Sequence, residues 1–255
     1  MSDSDSDFLT KRYKTLLIAA HPDDESIGAS FLMQNHSSLH VSFCTDGGAP
    51  LNQPVWTRIG LRSRNEYVAL REREALDALK RSHSHFQPEF HRKLDGSLHR
   101  ALRETAVELR HSISIFRPDF LLTHSFEHGH PDHDCCSFLA AQLGAEFHIS
   151  VWEMPIYGLI RGLKRVQDFA DNDNGILRIQ PTPEEIELKR SMLNAHESQV
   201  KLGNLNEFDP TRPESYRPQP SYAFLNAPPD FQYAVETATP QEVVAAFAGF
   251  TEPLS

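Results

Sequence analysis

Two apolar runs in this chain each end abruptly in a cluster of histidines and carboxylates. Leu16-Leu17-Ile18-Ala19-Ala20 gives way to His21-Pro22-Asp23-Asp24-Glu25, and Phe120-Leu121-Leu122 leads through Thr123-His124 to His128-Gly129-His130-Pro131-Asp132-His133. A short run that is apolar on nearly every residue suits a strand covered on both faces, as in a parallel sheet flanked by helices. In such sheets the loops at the C-terminal ends of the strands hold ligands and chemistry. The pairing therefore points to an α/β fold and sets its most polar segments where such folds do their work.

The remaining sequence alternates accordingly. At 255 residues, 39% hydrophobic and 24% charged, the chain suits one sizeable domain. We expect a flexible, acidic tail over residues 1–12 and a single α/β domain over 13–255. After the first strand, Glu25 to Gln34 opens a helix and Leu39 to Thr45 reads as a second strand, ending in the turn Asp46-Gly47-Gly48-Ala49-Pro50. Tyr67, Val68, Leu70, Leu76 and Leu79 mark an amphipathic helix over Leu61 to Arg81. A further helix is expected from Ser97 to Ile115, then the strand bearing His124, a helix to about Gly144, and strands near Phe147–Trp152 and Gly175–Gln180. Thr182, Pro183 and Glu185 are the cap, first position and third position of a helix running to about His196, and Thr239-Pro240-Gln241-Glu242 repeats that signature. Between them, residues 203–229 are rich in Pro, Asn and Asp and read as an irregular wrapping segment.

The net charge of −10 argues against a nucleic-acid or anionic-membrane partner. No apolar stretch approaches the roughly 20 residues of a membrane span, so no stable membrane insertion is expected. The start, Met1-Ser2-Asp3-Ser4-Asp5-Ser6-Asp7, is acidic where a signal peptide is basic, which makes a cytoplasmic protein the expectation. Cys44, Cys135 and Cys136 are too few for a disulfide framework and read as small buried hydrophobes. Assembly into a homo-oligomer stays open.

A catalytic zinc site has three protein ligands from His and carboxylate and leaves one position for water. His21 and Asp24, two residues apart across a proline turn, can converge on one ion that His133 reaches from the second loop. Asp23 then stands free beside it as a general base, since a nearby metal lowers the pKa of water to about 7. His130 can stabilise an oxyanion or protonate a leaving amine, with Asp132 holding its ring in the charged form. The same two-His, one-carboxylate set also suits non-haem iron. Asp23 and Asp24 alone would equally suit a helix N-terminus, but that leaves His21 without a reason. Of the 14 histidines, His124 and His128 are either supports of the site or polar loop residues, and His36, His40, His83, His85, His91, His99, His111 and His148 read as surface or core residues.

Ala20-His21-Pro22-Asp23-Asp24-Glu25 and His130-Pro131-Asp132-His133 resemble the motifs of the PIG-L/LmbE-like zinc-dependent de-N-acetylases, which remove acetyl from N-acetylglucosamine-type sugars. The likeness extends over roughly residues 14–200, through Arg71-Glu72-Arg73-Glu74-Ala75, Leu94-Asp95-Gly96 and His196-Glu197-Ser198-Gln199. It implies a Rossmann-like, mostly parallel sheet flanked by helices, one Zn²⁺ on His21, Asp24 and His133, Asp23 as base and His130 as assisting group. It further implies a small-molecule N-acetylated sugar or glycoconjugate as substrate, with Arg71 and Asp95 on its hydroxyls. His128 stands where some bacterial members have Tyr and joins them as a substrate-binding candidate. Asp46-Gly47-Gly48 replaces the Gly-Glu pair of many relatives. Two other readings follow from the same residues: a zinc amidase or esterase with a non-sugar substrate, and a catalytically idle metal- or carbohydrate-binding module. No G-x-G-x-x-G follows the first strand, which argues against a dinucleotide site there.

Overall fold

The computed structural model describes residues 13–35, 38–82, 88–160, 163–169, 175–226, 233 and 237–251. The expected tail over 1–12 lies outside them. The strands in chain order are β1 (Thr15–Ala19), β2 (Leu39–Thr45), β3 (Glu89–Lys93), β4 (Phe120–His124), β5 (Ser150–Met154), β6 (Tyr157–Ile160), β7 (Leu163–Val166), β8 (Leu177–Ile179) and β9 (Glu214–Pro218). Seven of them form one sheet in the order β3-β2-β1-β4-β5-β9-β8, and β6 and β7 form a separate hairpin. β3, β2, β1, β4 and β5 run parallel, while β9 is antiparallel to both β5 and β8. The chain winds one way from β1 through β2 to β3 and the other way from β4 to β5. The strand order thus reverses between β1 and β4, and a crevice opens at their C-terminal ends.

The helices are α1 (Asp24–Gly28), α2 (Ser30–Asn35), α3 (Arg64–Arg81), α4 (Leu102–Phe116), α5 (Pro131–Phe147), α6 (Pro183–Ala195), α7 (Glu197–Leu202) and α8 (Pro240–Thr251). β1 shows how the two layers form. Leu17 and Ala19 point into a core shared with α1, α2, α3 and α6, while Leu16, Ile18 and Ala20 join α4, α5 and α8 on the other face. Strand side chains alternate, so a strand with apolar residues on both faces needs cover on both sides. Cys44, Cys135 and Cys136 are free and buried in the second core.

Several elements differ from the sequence reading. The helix expected over Glu25 to Gln34 is two short helices broken at Ala29, whose φ is −133°. Side chains from elsewhere take up the backbone groups freed there: Lys189 Nζ donates to Ile27 O, Tyr216 Oη to Gly28 O, and Phe31 N and Leu32 N donate to Glu214. The long third helix starts at Arg64, capped by Ser63, and the fourth is preceded by a 3-10 turn at Leu98–Arg100. α5 continues to Phe147 and stops at His148 with φ 56°, which delays the fifth strand to Ser150. The segment 203–229, read as irregular, contains β9 inside the main sheet. Pro213 and Pro218 conceal it, because proline at the limits of a strand looks like a loop signal.

Candidate metal centre

The first cluster lies where β1 meets β4. Thr45 Oγ1 donates to Ala20 O and Ala20 N donates to His124 Nε2 at 3.0 Å, which joins the ends of β1, β2 and β4. His21 N donates to Asp24 Oδ2 at 2.7 Å, a tight turn that brings both side chains to one side. Across the crevice His130 is the N-cap of α5, Pro131 its first residue, and His133 lies in its first turn.

His21, Asp24 and His133 converge, each offering a ligand atom within 4.8 Å of the others. His21 Nδ1 is 3.5 Å from Asp24 Oδ2 and His133 Nε2 is 3.4 Å from Asp24 Oδ1. Ligand atoms about 2.0–2.1 Å from a tetrahedral Zn²⁺ sit about 3.3–3.4 Å apart; each imidazole stands near that distance from Asp24, one on each carboxylate oxygen, so the three residues can reach one ion. Burial opposes ionisation of Asp24, yet His133 and His124 beside it hold its carboxyl well below the usual range. Burial, reinforced by His124, pushes His133 down to about 4, leaving the neutral imidazole that binds metals. Burial lowers the pKa of His21 too, but Asp95 and hydrogen bonds with Asp132, Asp24 and Asp95 raise it well above the ordinary value. A cation between Nδ1 and Asp24 would displace a proton there. His124 stacks on His133 at 4.0 Å with ring planes 6° apart.

A second set, His21, Asp95, His130 and Asp132, lies against the first. Most of its acceptor atoms already hold a backbone N–H. Gly96 N donates to Asp132 Oδ2 at 2.7 Å and Leu98 N to Oδ1 at 2.9 Å, Ala49 N donates to Asp95 Oδ2, and Asp132 N donates to His130 Nδ1. This set is better suited to orient than to ligate. Asp132 Oδ2, 3.3 Å from His21 Nε2, favours the tautomer whose Nδ1 lone pair faces Asp24.

This corrects the expectation for Asp132. Its Oδ2 is 3.9 Å from His130 Nδ1, and that nitrogen accepts a backbone N–H instead. Nor is His130 held charged: burial and the neighbouring His21 push it down to about 4. With Nδ1 accepting, the proton of the neutral ring sits on Nε2.

Asp23 adjoins the first cluster at an unusual backbone position, φ 146° and ψ −23°. Burial raises its pKa to about 6 against the lowering effect of Arg71. A cavity of about 570 Å³ opens over His21, Asp23, Asp24, His130 and His133, with Arg71 and Asp95 also in its wall. Arg71, expected to meet substrate hydroxyls, is only 4% exposed and is bound to Asp23. His128, the third substrate-binding candidate after Arg71 and Asp95, does not line the cavity. Its Nδ1 is 2.9 Å from Asp134 Oδ2 and its ring packs on Phe126. Tyr157 and the stretch Asn204 to Phe208 do line it. Sequence reasoning missed Tyr157 because it sits in an unrecognised hairpin, and passed over the stretch because it has no periodicity. His196 and Ser198 pack behind the site on Glu25 and Glu74, while Gln199, which donates to Tyr67 Oη, lines the cavity with it.

Strand ends at a topological reversal, with two His and a carboxylate around a common point beside a second carboxylate, define a metal-dependent hydrolase of the deacetylase type. The family model of GlcNAc-PI de-N-acetylase (PIG-L) matches residues 16–143, and the chain belongs to that family. No curated protein sequence matches significantly. Among solved structures, the zinc-inhibited form of teicoplanin deacetylase Orf2 superposes with TM-score 0.64 at 18% identity, covering 80% of this chain and 97% of that one. The A40926 pseudoaglycone deacetylase Dbv21 gives 0.60 at 17%, covering 81% and 97%. GalB, the 4-carboxy-2-hydroxymuconate hydratase of Pseudomonas putida, gives 0.54 at 14%, covering 86% and 100%. At these identities the likeness is one of fold, and a hydratase among the neighbours means the fold alone does not set the reaction.

Proposed function

We propose that the protein hydrolyses the acetamido group of an N-acetylated amino sugar, or of a related glycoside or glycolipid, releasing acetate. One Zn²⁺ would be held by His21, Asp24 and His133. The observation that carries this reading is the convergence of those donor atoms beside Asp23 on the floor of the cavity. Bound there, zinc supplies a Lewis acid for the amide carbonyl and acidifies water.

The chain's own groups account for the proton movements. Asp23, with its pKa near 6, is largely ionised at neutral pH and takes a proton from the attacking water as its oxygen bonds to the acetyl carbon. His130 is neutral and presents Nε2–H, so it donates a hydrogen bond to the developing oxyanion as an uncharged group. When the carbon–nitrogen bond breaks, the proton on Asp23 passes to the departing amine, which regenerates the carboxylate. Asp132 fixes the ring of His21, and Asp95, in the cavity wall, is the remaining group for a sugar hydroxyl. Among the described residues no helix is long and apolar enough to cross a membrane.

The decisive experiment is acetate release from a panel of N-acetylated sugars and glycolipids, with and without a chelator. Release that stops on chelation and returns with zinc supports the reading, and release from no sugar overturns its substrate part. Engagement of Arg71 by Asp23 removes one of two expected sugar contacts and favours, as the second reading, an amidase or esterase on a non-sugar substrate. N-acetylated amines and acetate esters therefore belong in the same panel.

A further inference from the structure

We propose that Arg71 is a positioning residue that acts through Asp23, not a contact for substrate hydroxyls; this rests on the reading of Asp23 as the base. Arg71 Nη2 lies 3.0 Å from Asp23 Oδ2 and also donates to Pro22 O, while Nη1 donates to Gly47 O at 3.1 Å. Three of its five N–H groups therefore face protein, and its Nε is buried without a hydrogen-bond partner. A guanidinium so committed has little left to offer a ligand, although it forms part of the cavity wall.

Asp23 needs such a clamp. A residue with a Cβ at φ 146° is strained and persists only where its surroundings over-determine it. Two side chains do so from opposite ends of the residue. Glu25 Oε2 accepts its backbone N–H at 2.9 Å, and Glu25 is itself held by Ser26 Oγ and His196 Nε2. Arg71 holds its carboxylate and the carbonyl before it. The pocket for the guanidinium is made by a glycine: a Cβ on Gly47 would stand 2.8 Å from Pro22 Cδ and 3.3 Å from Arg71 Cζ. Gly47 is at φ 57°, so both its backbone and its missing side chain suit this close approach. The Asp46-Gly47-Gly48 sequence, which departs from the pattern of many relatives, thus has a role as the floor beneath Arg71.

The two roles differ in what they do to kinetics. A hydroxyl contact made equally in ground and transition state raises KM when removed, whereas loss of an oriented base lowers kcat. The test measures acetate release from an alkyl N-acetylglucosaminide by zinc-loaded wild type, Arg71→Ala, Arg71→Lys, Gly47→Ala, Asp23→Asn and the Arg71→Ala/Asp23→Asn double variant, with zinc content recorded for each. We expect Arg71→Ala to lower kcat about 100-fold with KM within threefold and zinc unchanged, with partial recovery in Arg71→Lys. Gly47→Ala should lower kcat although both charged residues remain. On the Asp23→Asn background Arg71→Ala should cost less than a further twofold, because the base it positions is already gone. A rise of tenfold or more in KM with kcat kept, or losses that multiply in the double variant, would overturn the proposal. If Arg71→Ala does not fold, Arg71→Lys and Gly47→Ala carry the same comparison. Failure of the underlying reading looks different: no acetate from wild type, or wild-type kcat in Asp23→Asn.

Discussion

The break between α1 and α2 rests on one buried ion pair, and Lys189→Met tests how much. Lys189 is 0% and Glu214 2% exposed at the side chain, with Nζ 2.7 Å from Glu214 Oε1. Nζ also donates to Ile27 O, whereas Phe31 N and Leu32 N donate to the other oxygen, Oε2, which also shares the single hydroxyl proton of Tyr216 with Gly28 O. Methionine fills much of the same volume but leaves Oε1 charged and without its partner. Removing one member of a buried pair costs about 3–5 kcal/mol, and an orphaned carbonyl adds to it. The donors retained on Oε2 offset part of this, so a loss of about 4 kcal/mol is expected. That corresponds to a fall of roughly 8–16 °C in Tm for a chain of this length. Lys189→Met/Glu214→Gln should recover at least half of the loss, since the amide oxygen can still accept from Phe31 and Leu32 while the unpaired charge is gone. Urea unfolding followed by circular dichroism and tryptophan fluorescence reads both values, as a shift in midpoint at constant slope. A single-variant loss under about 1 kcal/mol, or a double variant no more stable than Lys189→Met, would refute the electrostatic account of the break.

Three further outcomes follow from the site and its surroundings. His21→Ala and His133→Ala should emerge from gel filtration without zinc, whereas Asp23→Ala keeps it and loses about 10²–10⁴-fold in kcat; equal metal loss in all three would mean that ligands and base are misassigned. Glu89 is held down to about 2, first by His40, whose Nε2 stands 3.6 Å from its Oε1, and then, against burial, by the hydroxyls of Ser112 and Ser42. A carboxyl depressed on folding contributes stability above its ordinary pKa of 4.5 that is lost as pH falls toward 2. Glu89→Gln should therefore lose stability less steeply than wild type between those limits, and parallel pH profiles of urea midpoints would contradict it. A Cβ on Gly129 would stand 2.1 Å from Tyr157 O, a backbone atom that cannot turn aside. Gly129→Ala should cost about 1–3 kcal/mol and lower activity by moving His130, and an unchanged Tm would count against that contact.

The sheet was most legible where burial enforces a simple pattern. β1 and β4 lie on two-sided apolar runs, and α6 begins with the reciprocal Thr182–Glu185 box that its sequence spells. β3 was not legible, since Phe90 is the one apolar residue among Glu89, His91, Arg92 and Lys93 and no alternation shows. In the fold β3 is an edge strand whose charges meet α4, through His91 and Lys93 with Glu108 and through Lys93 with Glu104. The α1–α2 break was hidden for another reason: its backbone groups are satisfied by Lys189, Glu214 and Tyr216, more than 150 positions away.

At the site, spacing reveals which residues arrive together but not which way they face, and Asp132 shows why. His130 is an N-cap, and an N-cap side chain accepts the backbone N–H of the residue two positions on. That residue is Asp132, so adjacency brings its amide to His130, while its carboxylate reaches the amides of Gly96 and Leu98 and the ring of His21. Arg71 is the opposite case, an orientation the sequence does contain. Tyr67, Arg71, Glu74, Ala75 and Ala78 are buried along α3 at helical spacing, so Arg71 lies on the stripe that packs inward. A buried arginine on such a stripe requires an anion or several carbonyls within reach. Asp23, left free in the neighbouring motif when Asp24 turns toward His21 and His133, fills that need, which makes the partner of Arg71 a consequence of helix periodicity and desolvation.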